Sequence, residues 1–330
     1  MNLYTREDVS NKQKWSLDKK ISVSQTRLQE WYYRWDNQVY ISFSGGKDST
    51  VLADVATRMC KIMELPIRLV FSDTGLEYPE IRKFVKYFAS WLEKRYDHKI
   101  ELVIIKPKMK FDDVIKKYGY PIISKDISNT IAGAKKTTNN TRYQKLCGQY
   151  TDKHTGKLSQ YNCPQYKYLL DAEFKISDKC CDKLKKDPFK LYEKETGYKM
   201  ISAMMADESR KRMRDYQKTG CNAFDLKRPQ SQPMGYWTEQ DVLKYLLQYH
   251  IPYCDVYGKI IEENGKLRTT MENRTGCIFC GFGCHMEKEP NRFQRMKQTH
   301  PKQYEYCVKP VKDGGMGLGK VLDFIGVNYK

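Results

Sequence analysis

The stretch that decides the fold is VYISFSGGKDS, residues 39–49. Its first five residues are β-branched, aromatic or small, and they predict a short buried strand. Two glycines end the strand at once, and a helical pattern of apolar residues begins near Ser49. A strand that passes through a glycine turn into a helix presents backbone N–H groups and the positive end of the helix dipole to an anion. The stretch therefore predicts a phosphate-binding loop.

The polar side chains of this loop suit phosphate chemistry. Lys47 adds a positive charge, and Ser44 and Ser49 can donate hydroxyl hydrogen bonds to phosphate oxygens. Asp48 is anionic, which predicts either a helix cap or a ligand for a Mg²⁺ ion that bridges the phosphates. An ordinary turn between a strand and a helix is the alternative interpretation.

The neighbouring segments predict a parallel sheet. An amphipathic helix is predicted over 22–35, a second strand over 67–71, a helix over 79–94 and a third strand over 101–105. Strands that alternate with helices at this spacing imply right-handed crossovers, and ligands of such sheets bind at the carboxyl ends of the strands. The predicted fold class is therefore α/β.

The remainder divides the chain into three parts. We expect an N-terminal helical segment at 1–38, a nucleotide-binding domain at 39–260 with an irregular insertion at about 120–199, and a C-terminal cysteine and glycine-rich region at 261–330. A further strand is predicted over 199–205, and a helix over 238–249 with a capping residue at its start.

A second glycine-rich segment lies near the C-terminus. Gly314–Lys320 has most of the Walker A spacing, but Val321 stands where Ser or Thr would coordinate Mg²⁺. We therefore expect a mobile glycine loop that closes over a ligand, rather than a second phosphate loop.

Composition limits the classes of partner. No apolar run approaches membrane-spanning length and residues 1–20 have no signal-peptide core, so a cytoplasmic protein without membrane contact is expected. Lys and Arg exceed Asp and Glu by 19 charges. That excess favours polyanionic partners such as DNA or tRNA, although a generally basic proteome would give the same balance.

Three motifs in order resemble one family. Ser42–Ser49 resembles the PP-loop signature of the ATP pyrophosphatase superfamily, and Asp73–Glu80 and Tyr236–Val242 resemble later motifs of its phosphoadenosine-phosphosulfate reductase branch. The resemblance implies an adenine nucleotide alpha hydrolase-like fold that binds ATP or adenylyl sulfate, with Lys47 and Asp48 in catalysis. The nucleotide-binding residues that it implies are Ser42, Ser44, Gly45, Gly46, Lys47, Asp48, Ser49, Asp73, Thr74, Gly75, Arg210 and Arg212.

The arginines follow a family stretch that is incomplete here. Glu208, Ser209 and Arg212 match it, whereas Ala203 and Met205 replace a glycine and an arginine. One anion contact of the family is therefore in doubt, and a solvated helix face is the alternative interpretation of 207–214.

Eleven cysteines suggest metal binding rather than disulfides, because no export signal is visible. The Cys277-x-x-Cys280 spacing suits Zn²⁺ or iron–sulfur, and the adjacent pair Cys180 and Cys181 can reach the same site only if the backbone bends there. The pattern resembles the cluster-binding cysteines of adenylyl-sulfate reductases and DNA phosphorothioation sulfurtransferases, which implies a [4Fe–4S] cluster on these four residues. A zinc site, or a set of Cys277, Cys280 and Cys284, is the alternative.

Three functions remain open at this point. The first is ATP-dependent adenylation coupled to iron–sulfur-assisted sulfur transfer onto a nucleic acid, with a cysteine desulfurase or thiol reductant as donor. The second is sulfonucleotide reduction to sulfite, for which Cys284 or Cys307 would be the nucleophile, since the Glu-Cys-Gly-Leu/Ile-His segment typical of those oxidoreductases is missing. The third is a nucleic-acid-binding protein with a vestigial loop.

Overall fold

A computed structural model describes residues 2–152 and 155–330. The chain forms two compact units. The first unit contains Met1–Asp73, Glu77–Lys106 and Pro188–Gly276, and the second contains Thr74–Leu76, Pro107–Asp187 and Cys277–Lys330. The division into 1–38, 39–260 and 261–330 stays a prediction.

The described residues form ten β-strands. They are β1 (Val39–Ser42), β2 (Ile67–Ser72), β3 (Ile100–Ile105), β4 (Ile122–Ile123), β5 (Lys199–Ile201), β6 (Asn222–Ala223), β7 (Gln230–Ser231), β8 (Ile260–Glu263), β9 (Lys266–Thr269) and β10 (Gly281–Phe282).

Fourteen α-helices are found in the same residues. They are α1 (Arg6–Gln13), α2 (Leu17–Arg34), α3 (Lys47–Met63), α4 (Pro79–Tyr96), α5 (Phe111–Tyr118), α6 (Lys125–Ala134), α7 (Thr141–Leu146), α8 (Lys179–Cys181), α9 (Asp187–Thr196), α10 (Arg210–Thr219), α11 (Glu239–Gln248), α12 (Arg292–Thr299), α13 (Pro301–Val308) and α14 (Leu318–Phe324).

The first unit contains the predicted sheet. Its strand order is β3-β2-β1-β5-β7-β6, and every neighbouring pair is parallel except β6 and β7. The fold class, α/β with a mostly parallel central sheet, is confirmed. Because β1 lies between β2 and β5, its residues Val39–Ile41 are buried, and its carboxyl end opens into the predicted loop at the middle of the sheet edge.

The helices beside β1 follow from their sequence signals. Helix α3 begins after Gly46 and buries its apolar stripe against α2, α4 and α11. Helix α4 begins at Pro79, where the missing N–H costs nothing, and its C-cap Asp97 is left-handed. Both helices were predicted. Helix α3 begins two residues before the predicted start near Ser49, and α4 ends two residues after its predicted end.

Helix α11 is held at its start by a buried ion pair. Thr238 and Asp241 form a reciprocal capping box, and the same Asp241 carboxylate accepts a hydrogen bond from Lys20 Nζ at 2.5 Å. Lys20 on α2 is only 1 % exposed, and it also donates to the carbonyl of Gln13 at 2.7 Å. The Trp-Thr-Glu-Gln-Asp motif therefore has a structural role that its resemblance did not reveal.

The predicted insertion at about 120–199 is more regular than expected. It contains helices α6, α7, α8 and α9, and Ser124 and Asn140 cap two of them through their side chains. Helices α6 and α7 have 10 and 6 residues, too few turns for a visible apolar period. The strand predicted over 199–205 is shorter, because pairing with β1 stops at Ile201.

Among the described residues, no helix is both long and apolar enough to cross a lipid bilayer.

We predict that Lys20→Ala destabilises the protein by about 3 kcal/mol, because it leaves the Asp241 carboxylate without its buried partner. Urea unfolding followed by circular dichroism measures the change. The control is Lys19→Ala, an exposed neighbour above the Trp15 ring, for which a loss within about 1 kcal/mol is expected. Equal effects of the two substitutions would show that the ion pair adds nothing.

Candidate functional site

The predicted phosphate loop is a compact turn in the first unit. Ser44 and Ser49 face each other with their hydroxyl oxygens 3.0 Å apart, and Ser49 Oγ also accepts from the Ser44 N–H at 3.2 Å. Ser49 and Thr50 both donate to the Gly46 carbonyl, at 2.9 and 3.0 Å. The hydroxyls therefore brace the loop and fix the orientation of its backbone.

Gly45 is required by the shape of this turn. Its φ is +70°, a left-handed value that side chains disfavour, and a Cβ there would lie 2.9 Å from Val85 Cγ2 and 3.1 Å from Ile81 Cγ2 of α4. Gly46, the N-cap of α3, has an extended backbone, so the N–H groups of the first helical turn point out of the helix end. Ser42 ends β1 below this turn.

Lys47 is buried within the site. Its side chain is 4 % exposed, and Nζ donates to the Asn273 carbonyl at 2.8 Å and pairs with Glu239 Oε1 at 3.1 Å. The ammonium also lies 5.5 Å from the centre of the Tyr257 ring. A buried ammonium held by one carbonyl and one half-exposed carboxylate is well placed to exchange these partners for phosphate oxygens.

A tyrosine hydroxyl accepts a hydrogen bond from one of the loop amides. The backbone N–H of Lys47 donates to Tyr257 Oη at 3.1 Å, and Tyr257 Oη lies 2.7 Å from Thr275 Oγ1. Burial raises the pKa of Tyr257, so the phenol stays protonated. At least one amide of the loop therefore already has a hydrogen-bond partner, which the sequence did not indicate. A phosphate oxygen that enters the loop must compete with the Tyr257 hydroxyl for the Lys47 N–H.

Asp48 has a buried carboxylate oxygen, Oδ1, that lacks a hydrogen-bond partner among the described residues. Burial raises its pKa, the Lys47 ammonium opposes that shift, and the carboxylates of Glu208 and Glu239 add to it. A divalent cation would relieve this excess of negative charge, and carboxylate oxygen is the ligand that Mg²⁺ prefers.

The second predicted motif is divided between the units. Asp73 follows β2 in the first unit, donates its N–H to Ile105 O at 2.9 Å and pairs with Arg82 at 2.7 Å. Thr74 and Gly75 belong to the second unit, where the Thr74 hydroxyl oxygen accepts from the Leu76 N–H. Their predicted contact with nucleotide stays a prediction.

The two predicted arginines differ in their surroundings. Arg212 is half-buried and pairs with Glu208, which also has Arg274 at 3.8 Å. Arg274 follows Asn273, whose carbonyl accepts a hydrogen bond from Lys47 Nζ, so this cluster lies near the loop. Arg210 is exposed at the start of α10, and no recorded contact within the described residues joins its side chain to the loop.

Several residues of the site had no usable sequence signal. Tyr257, Asn273 and Thr275 reach the loop from about 210 to 230 residues away along the chain, in a region without periodicity. Glu239 stood in a recognised motif and was interpreted only as part of a helix start. Ser202, which follows β5, is a further candidate, since its buried hydroxyl has no partner among the described residues.

The four predicted cluster cysteines line one pocket in the second unit. Cys180, Cys181, Cys277 and Cys280 share it with the apolar side chains of Phe111, Phe279 and Leu184. The pairing of β10 with β4 places the chain after Cys280 beside Pro121, which also lines the pocket. A set of four thiols in an apolar wall fits an iron–sulfur cluster or a zinc ion in ligand type.

The helix that contains the double cysteine is irregular. Helix α8 ends at Cys181 and continues directly as a π-helical turn, Asp182–Lys186. Such turns interrupt the regular helix and are frequent at functional sites. The two sulfurs lie 3.9 Å apart, and the hydrogen bond from Cys180, together with Lys125 and Lys185, lowers the pKa of Cys181 below that of a free thiol.

The thiols are not yet in ligand geometry. In residues 2–152 and 155–330, no group of three or more His, Cys, Asp or Glu side chains is arranged to hold a metal ion. The four cysteines line the same pocket, and their binding of one metal centre stays a prediction. Cys284 does not line this pocket. It is 2 % exposed, donates to the Gly281 carbonyl at 3.1 Å, and has its pKa raised by burial to about 12.

The chain matches a known family over most of its length. Residues 38–290 match the phosphoadenosine phosphosulfate reductase domain. The chain belongs to this family. The loop, the aspartate motif and the capped helix on which the resemblance rested all lie inside the matched region, so that prediction is confirmed. Members of this family bind adenosine nucleotides, and nucleotide binding is the activity that membership suggests.

Comparisons with two individual proteins add less. The chain is 36 % identical over 321 residues to an uncharacterized protein of Methanocaldococcus jannaschii, covering 96 % of this chain but 58 % of the relative. The chain thus spans a little over half of that relative's length. The NMN synthetase of Francisella tularensis aligns over 95 % of this chain and 94 % of its own, with 9 % identity and a TM-score of 0.36, a likeness too weak to support an inference.

We predict that Tyr257→Phe tightens ATP binding by up to about fivefold, since it removes the hydroxyl that now accepts the Lys47 N–H, a hydrogen bond worth about 1 kcal/mol. Isothermal titration with a non-hydrolysable ATP analogue measures the affinity. Tyr253→Phe, whose hydroxyl accepts from Ile260 N, is the matched control and should leave it unchanged. Weaker binding by Tyr257→Phe would mean that the hydroxyl contacts the nucleotide instead.

Proposed function

We propose that this protein is an ATP-dependent sulfurtransferase that activates an oxygen of a nucleic acid by adenylation and replaces it with sulfur. The observation that carries the proposal is the pocket lined by four thiols in a chain whose phosphate loop is intact. Family membership supports a nucleotide substrate, and the thiol pocket supports chemistry that uses sulfur or iron.

The first step would be adenylation. An acceptor oxygen attacks the α-phosphorus of ATP, the bond to the bridging oxygen breaks, and pyrophosphate leaves with that electron pair. Lys47 would exchange Asn273 and Glu239 for phosphate oxygens, and Asp48 would hold Mg²⁺ through its unpartnered oxygen. Both act by stabilising charge that develops on the phosphates, which is the main catalytic effect available in phosphoryl chemistry.

The second step would be sulfur substitution. Sulfur at the oxidation level of sulfide, supplied by a cysteine desulfurase with a thiol reductant, forms a bond to the activated atom, and AMP leaves with the electron pair of the broken bond. Cys180, Cys181, Cys277 and Cys280 would hold a [4Fe–4S] cluster, which when bound supplies an electron carrier for the sulfur transfer. Zinc suits the same thiolates and would make the site structural.

A polyanionic acceptor is favoured by charge. The chain has a net charge of +19, and more than half of the excess lies in the second unit. Phosphate contacts from such an excess are the usual basis of nucleic-acid affinity.

Sulfonucleotide reduction is less well supported, because it needs an accessible thiolate. Cys284 is buried and bonded to a carbonyl, and Cys307 is fully buried with a pKa raised by that burial. A vestigial loop is disfavoured because both glycines of the turn and Lys47 are retained.

Lys47→Ala is expected to lower pyrophosphate release from ATP by at least about 100-fold, since it removes a charge aimed at the phosphates. Release is measured anaerobically with and without DNA or tRNA. Lys61→Ala, at the exposed end of the same helix, is the control and should retain full turnover. Thermal unfolding of both variants separates a lost charge from a lost fold. Undiminished turnover by folded Lys47→Ala would contradict the assignment of the loop.

Cys180→Ser is expected to remove most of the iron and acid-labile sulfide from anaerobically purified protein, because a four-thiolate site loses a ligand. Metal analysis and the visible absorption band give the readout. Cys147→Ser, which lies outside the pocket, should keep both. Zinc without sulfide would favour the structural alternative, and iron that depends on Cys284 but not on Cys180 would favour the set of Cys277, Cys280 and Cys284.

A further inference from the structure

The second unit contains an open cavity that none of the chemistry above uses. Its volume is about 370 Å³, within the range of small-molecule sites. Part of its lining comes from α5, Tyr120 and Lys175, and the rest comes from α13 and the glycine turn that follows it. None of its lining residues belongs to the phosphate loop or to the thiol pocket.

The glycine wall is built into the fold. The N–H groups of Gly315, Met316 and Gly317 donate to the carbonyls of Pro310, Tyr306 and Lys309 at 3.0, 2.9 and 2.8 Å. Any side chain on Gly315 would collide with the Lys309 backbone. On the other side, Tyr120 Oη donates to the Met316 carbonyl at 2.8 Å. The Walker-like segment therefore uses its N–H groups internally and serves as a wall, not as a phosphate cradle.

An oriented aromatic ring forms part of the lining. Tyr306 is 39 % exposed, and its hydroxyl donates to Asp112 Oδ2 at 2.6 Å, which fixes the direction of the ring. Ile115, Val311 and Met316 add apolar surface beside it. A flat ring suits this lining, since it can stack on the tyrosine and contact the aliphatic groups. The second carboxylate oxygen of Asp112 remains an acceptor for an N–H group.

The cavity also favours an anion. Lys116 and Lys175 line it, both are exposed, and across the described part of the chain neither has a carboxylate within ion-pair distance. Two unpaired ammonium groups beside an aromatic lining form a site for a ligand with a charged end and a flat end. Phosphate and nucleobase are those two ends in a nucleotide.

We propose that this cavity binds one phosphorylated nucleoside, with its phosphate at Lys116 and Lys175 and its base on Tyr306. The nucleoside is either a free mononucleotide or a single nucleotide of a strand, and both present the same chemistry. The site goes beyond the function proposed above and does not depend on it, because it requires neither ATP cleavage nor a metal.

Photo-crosslinking of the full chain tests the proposal and separates the two sources. The probes are 5-iodouridine monophosphate and a five-nucleotide strand with one central 5-iodouridine, because that base couples to tyrosine and methionine side chains that it contacts. Digestion and mass spectrometry should find the label on Tyr306, Met316 or Tyr120. Labelling by the monophosphate identifies a free nucleotide, and labelling by the strand alone identifies a nucleic acid. The proposal would be overturned if neither probe labelled a residue of the cavity, or if both probes labelled only the phosphate loop.

Binding of the same probes to variants provides the second measurement. Tyr306→Ala should weaken binding by about tenfold or more through lost stacking, whereas Tyr306→Phe keeps the ring and should stay within about twofold. Lys116→Ala and Lys175→Ala should each cost up to about fivefold, and Lys117→Ala, which does not line the cavity, should cost nothing. If Tyr306→Ala does not fold, the identity of the crosslinked residue in the unaltered protein decides whether the base contacts Tyr306. Equal binding by folded Tyr306→Ala and Tyr306→Phe would contradict the stacking role.

Discussion

Strand β1 has to become helix α3 within four residues, and the left-handed backbone of Gly45 makes this possible. The turn leaves no space for a side chain because α4 lies directly against it. After this turn, the Gly46 carbonyl accepts hydrogen bonds from the Ser49 and Thr50 hydroxyls. The first amides of α3 then point out of the end of the helix. The position of Lys47, the exposure of the amides and the burial of Asp48 all depend on this one conformation.

The sequence was informative where local chemistry dictates structure. The bounds of strands β1, β2 and β3 and the starts of the helices between them were predicted within about two residues, since apolar runs and glycine turns are local signals. The partners of Lys47 could not be predicted. Tyr257, Asn273 and Thr275 approach through tertiary packing, and nothing in their own neighbourhood marks them. The short helices of the insertion were missed because a helix of one or two turns shows no periodicity.

The cysteine prediction shows a second kind of limit. Spacing and resemblance named four residues, and the structure places all four on one pocket, with a π-helical turn directly after Cys181. Spacing could not show that Cys284 turns its thiol toward the Gly281 carbonyl. Cys284 follows β10, and β10 pairs with β4, a strand about 160 residues away along the chain. The direction of the Cys284 side chain therefore depends on tertiary packing, which spacing does not reveal.

The ion pair between Lys20 and Asp241 makes the amino-terminal helices part of the framework of the candidate site. Asp241 sits two residues after Glu239, which reaches Lys47, so α2 supports the segment that contacts the loop lysine. Shortened versions of the chain that start at the first strand would retain every residue of the glycine turn yet lose the support of α11. Deletion boundaries chosen from the family match alone, at residue 38, would therefore yield a protein with a weakened phosphate loop.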